Sequence, residues 1–249
     1  MENKSKDILL NKGYEILKRP KEFISFTGKK EADKYLNDLE NYPHIFVLAC
    51  IMDRQIKAER AWEIPYLVSK ELNSFNFDEI LKFPQEKFVE IFEENKLHRF
   101  NKEIAKSFYL ALKDIKEKYG GDASNIWKNY PSSATVVRRF LEFRGSGIKI
   151  STMFANILAR SFKIPMKDHY CIDISPDIQI RRVFTRLGYI KEGDSNEIII
   201  YKARELNPEY PGVFDYSCWF IGRDFCHPKN PDCGSCPLNG CCEYLKKVN

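Results

Sequence analysis

The tail from Cys226 to Cys242 constrains this chain more than any other stretch. It reads Cys226-HPKNPD-Cys233-GS-Cys236-PLNGC-Cys242, so four of the eight cysteines fall in a C-x6-C-x2-C-x5-C pattern, with Cys241 a fifth beside them. Thiolates are soft, anionic ligands, and four on one short loop suit a tetrahedral zinc or an iron–sulfur cluster. Gly234 and Gly240 let the loop bend back on itself, and Pro228, Pro231 and Pro237 stiffen it, so that less entropy is lost on ordering the ligands. Zinc is the main competitor. Its sites usually show two short C-x2-C knuckles, whereas here a single C-x2-C is flanked by longer spacers, and that favours a [4Fe–4S] cluster. A disulfide loop would need an oxidising compartment, and nothing in the sequence indicates secretion.

With 249 residues, 43% of them hydrophobic, the chain suffices for one large domain or two small ones. No apolar run reaches the roughly 18 residues of a membrane span. The N-terminus, MENKSKDILLNKGYEILKR, is amphipathic and contains acids, unlike a signal or transit peptide. A cytoplasmic protein with reduced thiols is therefore expected, and Cys50, Cys171 and Cys218 are read as buried apolar residues. The net charge of +5 permits an acidic partner without demanding one. Its distribution says more. Acids crowd the first half, while Lys128, Arg138, Arg139, Arg144, Lys149, Arg160, Lys163, Lys167, Arg181 and Arg182 cross the middle and beyond. Such a run is either a solvated face or a nucleic-acid footprint.

The hydrophobic pattern is helical nearly throughout, which predicts an all-α fold. Ile8, Leu9, Tyr14, Ile16 and Leu17 line one face of a first helix that stops before Pro20. His44–Asp53 is apolar on most sides and reads as a buried helix opened by Pro43. Ile104, Phe108, Leu112 and Ile115 form a stripe ending at Gly120-Gly121. No convincing two-residue alternation exists. Ile198-Ile199-Ile200 is β-branched, but its flanks are helical.

Ser133–Arg160 is the most informative internal stretch: a helix, a tight turn Arg144-Gly145-Ser146-Gly147, and a second helix. Both glycines can take positive φ without a Cβ clash. A turn of this kind presents backbone N–H groups at a helix start, where a phosphate binds without its base being read. The alternative is an ordinary helical hairpin. Lys149 lies in the first turn of the second helix, where the positive end of the dipole disfavours an ammonium and favours the neutral amine of a Schiff-base nucleophile. The plainer reading is a phosphate-contacting lysine. Asp177, in Ser175-Pro176-Asp177-Ile178, sits at the next helix start, with Ser175 expected as N-cap and Pro176 as the first helical residue. An acid there is a dipole partner, a general base, or a stabiliser of developing positive charge.

The hairpin with Lys149, the segment from Asp177 to Gly188 and the four-cysteine tail together resemble the endonuclease III branch of the helix-hairpin-helix DNA glycosylases, from about Pro43 to Cys242. The resemblance implies a two-domain all-α fold with DNA bound across the cleft between domains. One domain is expected over residues 40–162, containing the hairpin, and the other over 1–39 plus 163–249, containing the cluster. It further implies base-excision repair by a monomeric glycosylase with AP lyase activity on damaged double-stranded DNA, in the cytoplasm at the nucleoid. An oxidised pyrimidine is the expected lesion. By the same resemblance, Lys149 is the catalytic lysine and Asp177 the catalytic aspartate. Gln55 fills the gap left by a flipped base, and Leu97-His98-Arg99 wedges into the duplex. Arg144, Gly145, Ser146 and Gly147 meet the DNA backbone, while Cys226, Cys233, Cys236 and Cys242 hold a [4Fe–4S] cluster that serves structure and docking.

The chain departs from the family pattern in three places. The hairpin lacks the usual Leu-Pro before its first glycine, Gln179 stands where the family has histidine, and an insertion over Phe162–Ile174 separates Lys149 from Asp177. Asp168 and Asp173 in that insertion are rival acids. These changes bear on which base is removed. A monofunctional mismatch glycosylase acting on thymine, uracil or adenine, and a non-catalytic DNA-binding protein of the same fold, are the alternatives.

Overall fold

The computed structural model describes residues 2–248, apart from the side chains of Glu2, Tyr170, Lys247 and Val248. These residues form α-helices and short 3₁₀ turns and no strand. In chain order the helices are α1 (Glu2–Lys18), α2 (Lys30–Asn37), α3 (Pro43–Met52), α4 (Ala58–Glu71), α5 (Phe77–Ile80), α6 (Gln85–Glu94) and α7 (Asn101–Tyr119). They continue with α8 (Ser133–Leu141), α9 (Ile148–Arg160), α10 (Ile178–Leu187), α11 (Asn196–Leu206), α12 (Phe214–Asp224) and α13 (Glu243–Val248). The fold is all-α, as the periodicity predicts, and Ile198–Ile200 lies inside α11. None of these helices is long and apolar enough to cross a membrane.

The chain divides into two compact units. One comprises Phe23–Pro131 and Arg138–Ile150, the other Met1–Glu22, Ser132–Val137 and Ser151–Asn249. The division falls inside α8 and α9.

The first of these units is built around α3. All ten of its residues are buried, with Pro43 at its first turn. A helix that is apolar all round has no solvent face to offer, so neighbours must cover it on every side, and α2, α4 and α7 pack against it. The segment 23–39, grouped by the sequence reading with the C-terminal third, carries side chains that pack on this unit. Phe26 stacks on Trp62 at 4.5 Å and Tyr35 on Phe75 at 3.9 Å. The buried Asp33 carboxylate accepts from Phe26 N, Thr27 N and Thr27 Oγ1, which offsets its desolvation. The unit boundary accordingly falls after Glu22.

In the second unit α12 is the central helix, with α1 and α10 packed on it. α1 approaches Val213 so closely that a Cβ on Gly13 would sit 2.2 Å from the Val213 carbonyl oxygen. Leu9 is fully buried, and Ser5 Oγ lies 2.7 Å from the Tyr189 hydroxyl. Of the three cysteines read as buried, Cys50 and Cys218 are, but Cys171 is exposed because it ends a short 3₁₀ turn at the surface.

Candidate active site

The hairpin joins α8 to α9. Gly145 has φ +87°, and Ser146 N donates to the Phe143 carbonyl at 3.0 Å, closing the turn. Gly147, which could share the left-handed conformation, does not adopt it. The two glycines therefore serve different needs. A Cβ on Gly145 would meet Arg54 Nη1 at 2.3 Å, whereas a Cβ on Gly147 would meet nothing within 4 Å among the described residues. Backbone is thus open to approach at Gly147. Arg144 pairs with Glu103 at 3.2 Å, both side chains being exposed.

Lys149 follows two residues later, in the first turn of α9. Its Nζ lies 2.9 Å from Asp53 Oδ2, with the lysine side chain 30% and the carboxylate 11% exposed. Asp53 is the C-cap of α3. Each charge stands at the end of its own helix where the dipole disfavours it, and each relieves the other. The two side chains form an ion pair across the two helix ends. Nothing local marks Asp53; its one signal is that it is the acid closing an otherwise apolar helix.

Arg54 and Gln55 follow directly. Gln55 is exposed and held at φ +56°, sparsely populated for a residue with a side chain. The loop Leu97–Phe100 is fastened to this turn by His98, whose Nε2–H donates to the Arg54 carbonyl at 2.8 Å while its Nδ1 accepts from Phe100 N at 3.1 Å. Those bonds need the neutral ring, and burial holds the His98 imidazole below its ordinary value. Leu97 and His98, expected in the wedge, are buried, because Leu97 joins the core and His98 is engaged by backbone. The exposed side chains of this loop are Arg99 and Phe100, the guanidinium lying over the ring at 4.7 Å. Arg54, Gln55, Phe100, Glu103, Arg144 and Gly145 are among the residues lining a cavity of about 320 Å³, a size usual for ligand clefts.

In the other unit, Asp177 is the N-cap of α10, and its Oδ1 accepts from Ile180 N at 2.7 Å. The cap expected at Ser175 falls on Asp177 because this carboxylate reaches the third helical N–H, while Ser175 is buried before the helix begins. The two rival acids have other partners. Asp168 accepts from Ser133 N at the start of α8, and Asp173 forms a two-pronged pair with Arg204 at 2.7 and 2.8 Å. Gln179 bonds to Arg182 and lies against Gly222.

Cys226, Cys233, Cys236 and Cys242 line one small cavity together with Arg186, whose Nη1 donates to Cys226 Sγ at 3.1 Å. Burial pushes the Cys236 thiol up to about 11 and Cys233 also upward, with neighbouring thiols of the set adding to both. Ligation to a cationic centre would reverse this by deprotonating them. Cys241 is buried, and its thiol bonds to the Leu238 carbonyl. Among the described residues no group of three or more His, Cys, Asp or Glu side chains is arranged to hold a single metal ion. The donor set itself, four soft thiolates with a guanidinium against one sulfur, fits an anionic iron–sulfur centre.

No family model matches the sequence, and no curated protein matches it. Solved structures do. A trapped endonuclease III–DNA covalent intermediate superposes with TM-score 0.63 at 16% identity, over 91% of this chain and 100% of that one. A thermostable thymine-DNA glycosylase gives TM-score 0.62 at 17% identity, over 99% of both chains. A non-covalent endonuclease III–DNA complex gives 0.61 at 18%, over 88% of this chain and 95% of the other. The chain has the fold of these proteins.

Proposed function

We propose that this chain is a base-excision DNA glycosylase with AP lyase activity, acting on damaged double-stranded DNA through a Schiff base at Lys149. One observation carries the reading. A lysine stands at the start of α9, two residues beyond an open Gly147 backbone, with a carboxylate 2.9 Å from its amine. The likeness to an endonuclease III structure trapped as a covalent DNA intermediate supports it.

The chemistry follows from these groups. The hairpin holds a phosphate by backbone N–H groups, which positions the duplex without reading sequence. Extruding the target nucleotide costs a few kcal/mol, least for a damaged or mispaired base. Gln55, strained and exposed, and Phe100, an exposed ring beside it in the same cavity, are suited to fill the gap left behind. The neutral Lys149 amine attacks C1′ as the C1′–N bond breaks and the electron pair leaves with the base. Asp177 stabilises the positive charge developing on the sugar. Opening of the C1′–O4′ bond, with loss of the remaining amine proton, gives the imine; this makes the C2′ proton acidic, and β-elimination expels the 3′ phosphate and breaks the strand. Cys226, Cys233, Cys236 and Cys242 would hold a [4Fe–4S] cluster that stiffens the tail. Their spacing favours this over zinc.

The test is borohydride trapping on a duplex carrying an abasic site and on one carrying an oxidised pyrimidine. Wild-type protein should form an adduct on both, and Lys149→Gln should bind the duplex but form none. An absence of wild-type adduct sinks the lyase reading in favour of monofunctional mismatch removal, or of binding without catalysis.

A further inference from the structure

We propose that Asp53 is the group that takes the proton from Lys149 and holds its amine in line for attack. The inference rests on Lys149 being the nucleophile. It begins from the mismatch of two charges with their helices. Asp53 ends α3, where the backbone already presents unpaired carbonyls, and Lys149 begins α9, where it presents unpaired N–H groups. An arrangement serving stability alone would put opposite charges at these two ends. Here both helices carry the disfavoured charge, and the two side chains meet across 96 positions of sequence at 2.9 Å. A local rule broken twice at one contact is what a working site looks like.

The surroundings suit proton transfer. The Asp53 carboxylate is 11% exposed, so water competes weakly for it. Cys50, one turn earlier on α3, is fully buried, and burial pushes its thiol well up, so it faces the pair as a neutral group. Arg54, the next residue, is directed to Gly145 in the hairpin. The step balances: the ammonium N–H bond breaks, its proton passes to Asp53 Oδ2, and the nitrogen lone pair is released to form the bond to C1′. The carboxylic acid so formed can return the proton when the imine is hydrolysed. This leaves Asp177 the separate task of stabilising the sugar cation.

Single-turnover trapping on a preformed abasic-site duplex, between pH 6 and 10, tests the inference with wild type, Asp53→Asn, Asp53→Glu and Asp177→Asn. At pH 7 Asp53→Asn should trap roughly 10²–10⁴-fold more slowly, with duplex affinity within about 2-fold of wild type. Its deficit should shrink steadily toward pH 10, as hydroxide takes over the role of the missing carboxylate. Asp53→Glu should recover at least about 10-fold. A deficit constant across the pH range marks a merely structural ion pair and overturns the inference, as does wild-type trapping by Asp53→Asn at pH 7. So does a pH-rescued deficit in Asp177→Asn with none in Asp53→Asn. If wild type itself forms no adduct, or Lys149→Gln still forms one, it is the Schiff-base reading that has failed.

Discussion

The two hairpin glycines offer a sharp separation of stability from function. Gly145 is held at φ +87°, and its missing Cβ leaves space that Arg54 Nη1 occupies at 2.3 Å. Alanine in a left-handed conformation costs about 1–2 kcal/mol. The Arg54 contact adds less, because the obstructing atom is the end of a flexible side chain that can swing away. Gly145→Ala should therefore lose about 1–2 kcal/mol, a fall in Tm of roughly 2–8 °C for a chain of this size. Gly147 has no left-handed φ and open space at its Cβ position. Gly147→Ala should stay within about 0.5 kcal/mol of wild type. On the proposed role of the hairpin, a methyl group there would nonetheless stand where a DNA phosphate approaches backbone. Duplex affinity should fall, by about 10-fold if one charge-assisted hydrogen bond worth roughly 1.5 kcal/mol is lost. Urea unfolding and fluorescence-anisotropy titration with an abasic-site duplex at fixed salt measure the two quantities. Equal stability loss in both variants would refute the assignment of distinct roles, and so would a Gly147→Ala protein that binds DNA like wild type.

His44 is 3% exposed, its Nε2 has no hydrogen-bond partner among the described residues, and burial holds its imidazole down to about 4. Because the folded value lies below the unfolded value of about 6.5, the unfolded chain takes the proton first. This contribution is intact above about pH 6.5 and is lost toward pH 4. At about 1.36 kcal/mol per unit the cost at pH 5 is about 2 kcal/mol, so His44→Phe should unfold in urea with a correspondingly smaller difference between pH 7 and pH 5. Serine at Cys226, Cys233, Cys236 or Cys242 should each remove iron and visible absorbance, whereas Cys241→Ser should keep both; iron analysis of the purified variants decides. Asp177→Asn should unfold like wild type, since asparagine caps as well as aspartate. Base release from an oxidised-pyrimidine duplex should nevertheless slow by roughly 10²–10⁴-fold, and equal rates would remove Asp177 from the chemistry.

Much of this protein is written locally in its sequence. The 3.6-residue spacing of Ile104, Phe108, Leu112 and Ile115 makes α7, and the unbroken apolar run after Pro43 makes α3 a buried helix. The four-cysteine spacing brings the thiols to one cavity because the loop between them is short. The hairpin, too, is legible as two helices and a glycine turn. These features depend on neighbours within a few residues, which the order of residues fixes directly. What remained hidden depends on crossings between distant segments. Leu97 and His98 read as an exposed wedge until the loop is seen fastened to the Arg54 carbonyl. Asp168 and Asp173 rival Asp177 on paper, and only the helix start at Ser133 and the guanidinium of Arg204 show them otherwise engaged. Asp53 carries no motif at all. Its meeting with Lys149 exists only because α3 ends where α9 begins, and such a pairing is decided by how helices pack, not by any pattern along either one.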